Sequence, residues 1–485
     1  MKKKLIFEKN VAGRRGFSFS KDDVPRYLWE DFLPAELKRK EKLYFPQLSE
    51  LDVVRHYSRL AEMNFSVDKN FYPLGSCTMK YNPKMNELAA EERGFSQLHP
   101  YQEEEDVQGM LELLYLLEKV LVEITGMEHF SFQPAAGAAG ELSGMLMIKK
   151  FFLQRKDFLR QEVIVPDSSH GTNPASATLA GFKVVTIKSS QEGLVDIDAL
   201  SRICGSRTAA LMLTNPNTLG LFEEKIWDMA EIVHKQGGLL YYDGANLNPL
   251  LGKVRISDMG FDIMHINLHK TFATPHGGGG PGGGPVGARG KLKEFLPLPL
   301  IGKSEDRFYL EYKLPNSIGR VRSFYGNIPV MVKAFAYLLR LGKEGLLRVA
   351  EHAVLNANYL KEKLKNYYEP ATDKPCWHEV VFAGLKNKTT NVRTFDIAKR
   401  LIDYGVHPPT VYFPLIVKEA LMIEPTETES KQILDEFAGV MEAIAKEAVD
   451  NPQLVKEAPH TTPVGRLDEA KAARQPQLRW VPPSA

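Results

Sequence analysis

The sequence predicts an α/β protein built on a mostly parallel sheet, and three observations carry that expectation. Five short apolar runs, at residues 162–165, 183–187, 209–213, 239–242 and 263–266, have the length and the Val, Ile, Leu and Tyr content of buried strands. Helical stretches lie between several of them, residues 227–236 being the clearest, and such alternation joins parallel strands through crossover helices. After about residue 330 the pattern changes to long helices with a few strands, which reads as a smaller α+β domain.

Taken in order, residues 1–95 read as an N-terminal arm with little core of its own and a basic patch at Lys38-Arg-Lys40. The arm includes Tyr72-Pro-Leu-Gly-Ser-Cys-Thr-Met-Lys-Tyr-Asn-Pro83, where Pro73, Gly75 and Pro83 impose irregular backbone. The large domain, 96–330, opens with a helix over about 108–123, whose Met110, Leu111, Leu113, Leu114, Leu116, Leu117, Val120 and Leu121 cover a broad apolar face. The small-residue run 133–141 precedes a second helix expected from about Leu142. In the small domain, 331–450, a helix over 331–341 should break at Gly342 and Gly345. A second should cover about 346–365, and a last one about 429–448. The remaining 451–485, rich in Pro and charge, reads as a weakly packed or partner-dependent tail.

Bulk properties narrow the function. The 485 residues are 44% hydrophobic and 25% charged, as expected of a soluble globular chain with a large core. A net charge of +2 gives no whole-molecule field for nucleic acid or an anionic membrane. Cys77, Cys204 and Cys376 have no CxxC spacing, which argues against a zinc site or a disulfide framework and for a reducing cytoplasm. The apolar start at Leu5 is cut short by Glu8 and Lys9, unlike a signal peptide, and no run is long enough to span a bilayer.

Candidate chemistry gathers at the ends of the expected strands, where ligands sit in open α/β sheets. Asp243 ends one strand, and Lys270 follows the next, 27 positions later. A lysine amine that can form a Schiff base and a carboxylate that can keep a pyridine nitrogen protonated suit pyridoxal phosphate chemistry. Taken singly, each is equally a solvated strand-end residue. Ala136 and Gly137 lie in Gln133-Pro-Ala-Ala-Gly-Ala-Ala-Gly-Glu141, a small-residue run that could cradle phosphate at a helix N-terminus or form a tight helix contact. His170, in Asp167-Ser-Ser-His-Gly-Thr-Asn173, could lie against an aromatic ring or be a bonded loop histidine. Asn215, in Asn215-Pro-Asn217, could reach a phenolic oxygen or belong to a generic turn. Pro275-His-Gly-Gly-Gly-Gly-Pro-Gly-Gly-Gly-Pro285 lacks the Gly-Lys-Ser/Thr of a nucleotide loop and reads as a mobile loop over a substrate. Cys77 lacks a His/Asn context for a nucleophile and reads as a structural thiol.

These segments together resemble glycine dehydrogenase (decarboxylating), the P-protein of the glycine cleavage system. Tyr72 to Lys80, Gln133 to Gly137, Asp167 to Ala175, Asn267-Leu-His-Lys-Thr-Phe272 and Pro275 to Pro281 occur in that family's order, and the likeness covers about residues 10–475. One departure is Ala139, where relatives often carry a polar side chain beside the phosphate loop. The resemblance implies an aspartate-aminotransferase-like fold of type I and places this chain in the cofactor-bearing half, subunit 2. It implies pyridoxal 5'-phosphate covalently on Lys270, with Asp243 on the ring nitrogen, His170 stacked on the ring, and Ala136, Gly137, Asn215 and His269 around the cofactor. It implies no metal. The activity would be that of glycine dehydrogenase (aminomethyl-transferring): glycine binds to the cofactor as an aldimine, CO2 leaves, and the aminomethyl group passes to the lipoamide of the H-protein. Subunit 1, in a heterotetramer, and lipoylated H-protein are the implied partners. The alternatives are another enzyme of the same fold, such as an aminotransferase or a cysteine desulfurase, and a cofactor-free scaffold subunit.

Overall fold

The structure, a computed structural model, describes residues 4–481 apart from residues 19, 21, 22, 26, 29, 30, 42 and 277–281. It forms two compact units, Met1–Ser66 with Ala458–Ala485, and Val67–Glu457. Residues 67–95, expected in the N-terminal arm, therefore belong to the larger unit.

In the smaller unit, helix α1 (Glu50–Glu62) starts at Ser49, which shares a reciprocal capping box with Asp52. Asp52 also pairs with Arg14 at 2.7 Å, tying the preceding extended segment to the helix. Phe7 stacks on Trp480 at 5.0 Å, which joins the two ends of the chain. Phe17, Tyr27, Phe32, Tyr44 and Phe45 remain largely exposed.

The larger unit begins with α2 (Lys84–Glu91), α3 (Arg93–Ser96) and α4 (Gln108–Thr125). Gly126, left-handed at φ 72°, ends α4. There follow β1 (His129–Ser131), α5 (Gly137–Gln154), β2 (Glu162–Pro166), α6 (Thr172–Leu179), β3 (Lys183–Ile187), α7 (Ile197–Ile203) and β4 (Thr208–Thr214). Then come α8 (Ile226–Lys235), β5 (Leu239–Gly244), β6 (Ile263–Ile266), α9 (Leu268–Thr271) and β7 (Val286–Ala288). The seven strands form one sheet in the order β1-β7-β6-β5-β4-β2-β3, parallel from β3 to β6, with β7 antiparallel to both its neighbours. All seven residues of β4 are buried, which explains why its sequence is a continuous apolar run without alternation. Its odd and even positions still serve different layers. Leu211 and Leu213 join a core with Leu117 and Leu121 of α4, while Ala210 and Met212 join one with Met145 and Ile148 of α5.

Beyond the hairpin β8 (Leu300–Ser304) and β9 (Arg307–Glu311), helix α10 (Ile328–Leu364) crosses the boundary expected at 330. It kinks at Gly342 (φ 58°, ψ −172°), while the break expected at Gly345 is absent because that residue is helical. Before the kink, Val330, Met331 and Ala334 pack on the large sheet's core. After it, Ala357, Leu360 and Leu364 pack on the second core. That core covers a four-stranded antiparallel sheet, ordered β10 (Tyr368–Pro370), β11 (Val380–Leu385), β13 (Ala420–Ile423), β12 (Thr410–Val411). Helices α11 (Thr394–Asp403), α12 (Lys431–Asp450) and α13 (Pro452–Lys456) complete it. The start of the expected tail is thus packed, with Val455 fully buried. Segment 72–83 is pinned by Lys80, whose buried amine meets Asn248 at 2.8 Å and Glu427 at 2.7 Å. Among the described residues, no helix is long and apolar enough to cross a membrane.

Candidate active site

The carboxyl ends of β4, β5 and β6 and the N-terminus of α5 surround a cavity of about 240 Å³. Its lining brings together Ala136, Gly137, His170, Asp243, His269 and Lys270 of the expected site residues. Asn215 is not among them. Strand alternation turns Thr214 toward the cavity and Asn215 away from it. Asn215 Oδ1 instead accepts from the Glu223 amide at 3.0 Å, and its carbonyl accepts from the Tyr242 hydroxyl at 2.7 Å.

Lys270 sits in α9, the single helical turn that follows β6, and its amine donates to the Ser76 carbonyl at 2.9 Å. Asp243 is only 2% exposed. Its Oδ2 accepts from Asn173 Nδ2 at 2.9 Å and from the Thr214 hydroxyl at 3.2 Å, and its Oδ1 accepts from the Ala245 amide at 3.0 Å. His265 Nε2 stands 3.4 Å from the same carboxylate. Burial opposes its charge, but His265, the Asn173 bond and Lys270 together hold the carboxyl below the usual range. Glu141, on α5, is pushed up to about 7 by burial and by the charge of Asp243. Asp243 is the acid of this pair that is held ionised, and Glu141 is the one whose proton is held more tightly than usual.

A polar chain connects these groups. Asn173 Nδ2 also donates to Glu141 Oε2 at 3.1 Å, and the Thr172 hydroxyl donates to Glu141 Oε1 at 2.9 Å. Thr172 Oγ1 is in turn 2.8 Å from His170 Nδ1. The His170 ring is exposed at the cavity, and desolvation and Lys270 lower its affinity for a proton. His269 accepts from the Gly283 amide at 3.3 Å through Nδ1, and burial and His276 bring it down to about 3. It is a neutral ring at ordinary pH.

Helix α5 begins at Gly137, five residues before the expected start, because a Gly/Ala run carries little apolar periodicity. Its cap, Ala136, is extended (φ −163°, ψ −173°) and makes no side-chain capping bond, so the first-turn amides meet the cavity uncapped by side chains. A Cβ on Gly137 would approach Asn267 Oδ1 to 2.7 Å. The expected substrate loop lies partly outside the described residues, at 277–281; its described end packs Gly283 on Leu268 and Gly284 on the Ala136 backbone. Cys77 Sγ lies 3.1 Å from His276 Nε2, and burial raises the thiol's pKa.

Sequence reasoning missed Ser76, Glu141, Asn173, Thr218 and His265. Ser76, Glu141 and Asn173 lie inside motifs the sequence singled out, His265 inside an expected strand, and Thr218, which lines the cavity, directly after Asn215-Pro-Asn217, but nothing in the sequence says that a carboxyl within an apolar helix would meet Asp243.

The glycine cleavage system P-protein family matches residues 23–311, and the C-terminal domain of glycine dehydrogenase matches 349–460. A protein of Caldanaerobacter subterraneus subsp. tengcongensis named probable glycine dehydrogenase (decarboxylating) subunit 2 is 60% identical over 98% of each chain. One of the same name from Kosmotoga olearia is 57% identical over 98% of this chain and 99% of its own. Among solved structures, glycine decarboxylase (P-protein) in inhibitor-bound form superposes with a TM-score of 0.72 at 22% identity, covering 85% of this chain and 94% of that one. A cysteine desulfurase from Thermococcus onnurineus gives 0.61 at 17% identity, over 78% and 95%. These likenesses show the fold, that of type I pyridoxal phosphate enzymes. Pyridoxal phosphate is the cofactor, and the site fits it: an amine, a buried ionised carboxylate and a helix N-terminus whose first glycine lies tight against the Asn267 side chain share one cavity. The chain belongs to the glycine cleavage system P-protein family.

Proposed function

We propose that this chain is the cofactor-bearing subunit of a glycine decarboxylase, and that it works through Lys270, Asp243, His170 and the N-terminus of α5. Supporting this, relatives 56–60% identical over nearly the whole chain carry the name glycine dehydrogenase (decarboxylating) subunit 2. The observation that carries the residue roles is the convergence of Lys270, Asp243 and the uncapped α5 terminus on one cavity.

When bound, pyridoxal phosphate supplies an aldehyde carbon for an amine and a conjugated ring that takes up electrons. Lys270 forms the covalent link. Asp243, kept ionised by His265 and Asn173, would hold a proton on the ring nitrogen. His170, a neutral ring held by Thr172, covers one face and keeps water away. The amides of Ala136 and Gly137 and the positive end of α5 bind the phosphate. His269, neutral and fixed by Gly283, closes the cavity beside Lys270.

The partner is a subunit 1, as the relatives' names imply. The exposed Phe17, Tyr27, Phe32, Tyr44 and Phe45 support an arm that covers it, in a heterotetramer with an interface above about 2,000 Å². The acceptor of the aminomethyl group is the lipoamide of an H-protein, and the setting is the cytoplasm. Glycine-dependent exchange of labelled bicarbonate into the glycine carboxyl group, with both subunits and lipoylated H-protein present, tests the reading. Exchange that depends on all three supports it, and its absence in the reconstituted system contradicts it.

A further inference from the structure

Residues 73–80 form a strap at the cavity that the cofactor roles leave unexplained. Leu74 bridges to Ile423 at the end of β13, and the Gly75 carbonyl accepts from the Thr410 hydroxyl at 2.7 Å. A Cβ on Gly75 would overlap the Met422 side chain, so the strap lies as close to β13 as backbone allows. Ser76 is left-handed at φ 62°, which a residue with a side chain adopts only where its surroundings enforce it. Two buried carboxyls do so. Glu379 Oε2 accepts from the Ser76 amide at 2.8 Å, and Glu424 Oε1 accepts from the Thr78 hydroxyl at 2.6 Å. They follow from adjacent strand ends, just before β11 and just after β13, and are 0% and 1% exposed. The Ser76 carbonyl, fixed in this way, accepts from the Lys270 amine at 2.9 Å.

We propose that the Ser76 carbonyl holds the Lys270 amine whenever that lysine is not bonded to the cofactor, and that Glu379 is the positioning residue that aims it. The inference rests on Lys270 being the cofactor lysine. When glycine binds, its nitrogen takes up both bonds to the cofactor carbon as both bonds from that carbon to Lys270 Nζ break, and two protons pass from the glycine amine to Nζ, which leaves as a neutral amine. The freed amine then needs an acceptor, and among the described residues the Ser76 carbonyl is the one it is bonded to. The bond exists only while Lys270 is free. It therefore favours the glycine-bound state and opposes loading of the cofactor, since a contact shifts an equilibrium only by its difference between the two states.

The opposite signs separate this role from simple support of the fold. In the two-subunit complex without H-protein, the cofactor's visible band can be titrated with glycine, and cofactor-free complex with pyridoxal phosphate. Glu379→Leu should raise the Kd for glycine by about tenfold, the effect of leaving one buried donor without its acceptor, while the Kd for pyridoxal phosphate stays the same or falls. Glu379→Gln, which keeps an acceptor at the Ser76 amide, should recover glycine binding to within about threefold of the parent. Gly75→Ala, which pushes the strap off Met422, should repeat the Leu result and serves if Glu379→Leu does not fold. An unchanged Kd for glycine in the displaced-strap variant, or parallel weakening of both ligands, would overturn the proposal. Mapping the borohydride-fixed pyridoxyl group on the parent complex separates the two possible failures. A label on another lysine removes the underlying reading, whereas a label on Lys270 with unmoved glycine affinity removes only this one.

Discussion

Asn173 places its amide nitrogen 2.9 Å from the Asp243 carboxylate, although the two residues are 70 positions apart. The same nitrogen reaches Glu141, so one side chain joins the acid whose pKa is lowered to the acid whose pKa is raised to about 7. Asn173→Ala would leave both carboxyls short of a donor in a buried site. Bicarbonate exchange should fall by about tenfold or more, the cost of a hydrogen bond to a charged group. Exchange rates within twofold of the parent would show that the bridge is dispensable.

Asp243→Asn should retain the fold, because the substitution preserves shape in a place that is fully enclosed. It removes the charge that faces His265 and, by this account, the ring nitrogen. Exchange should drop by roughly 10²–10³-fold, as when one preorganised electrostatic group is lost. Near-normal exchange with intact circular dichroism would assign the role to another acid.

Gly137→Ala probes the phosphate cradle. The new methyl group would meet Asn267, and overpacking of this kind costs about 1–3 kcal/mol. The Kd for pyridoxal phosphate should rise by about tenfold or more in titrations of the visible band. An unaltered Kd would mean that the phosphate sits elsewhere.

The pattern of what could be read from the sequence has a physical cause. Strands β2, β4, β5 and β6 were visible because burial on both faces makes continuous apolar runs, the partly exposed edge strand β3 showed through its Val-Val-Thr-Ile content, and Asp243 and Lys270 stood out at strand ends. The three-residue β1 and β7 are too short to leave any period. Asn215 was misplaced because position at a strand end does not say which way a side chain turns, and a one-residue step reverses it. Glu141, Glu379 and Glu424 gave no signal either. Each is a carboxyl whose neighbours come from distant segments, such as Asn173, Ser76 and Thr78.

Buried acids also leave a mark on stability. Glu223, remote from the cavity lining and bonded to Asn217 and the Val195 amide, is pushed up to about 7 by burial. The folded chain then binds this proton over a range where the unfolded chain, near the ordinary 4.5, has lost it. Its contribution to stability is full below pH 4.5 and is lost as pH rises through about 7. Glu223→Gln removes that loss. Between pH 5 and pH 8 the Tm of the variant should rise relative to the parent by ~2 °C or more. A constant difference across the range would contradict the assignment.

The central claim is that Lys270 bears the cofactor, and fixing that bond chemically tests it most directly. The two-subunit complex, loaded with pyridoxal phosphate, would be reduced with borohydride, digested and mapped by mass spectrometry. The account predicts a single pyridoxyl group on the peptide containing Lys270, and no label in a Lys270→Ala complex. A pyridoxyl group on a different lysine, such as the buried Lys80, would contradict it.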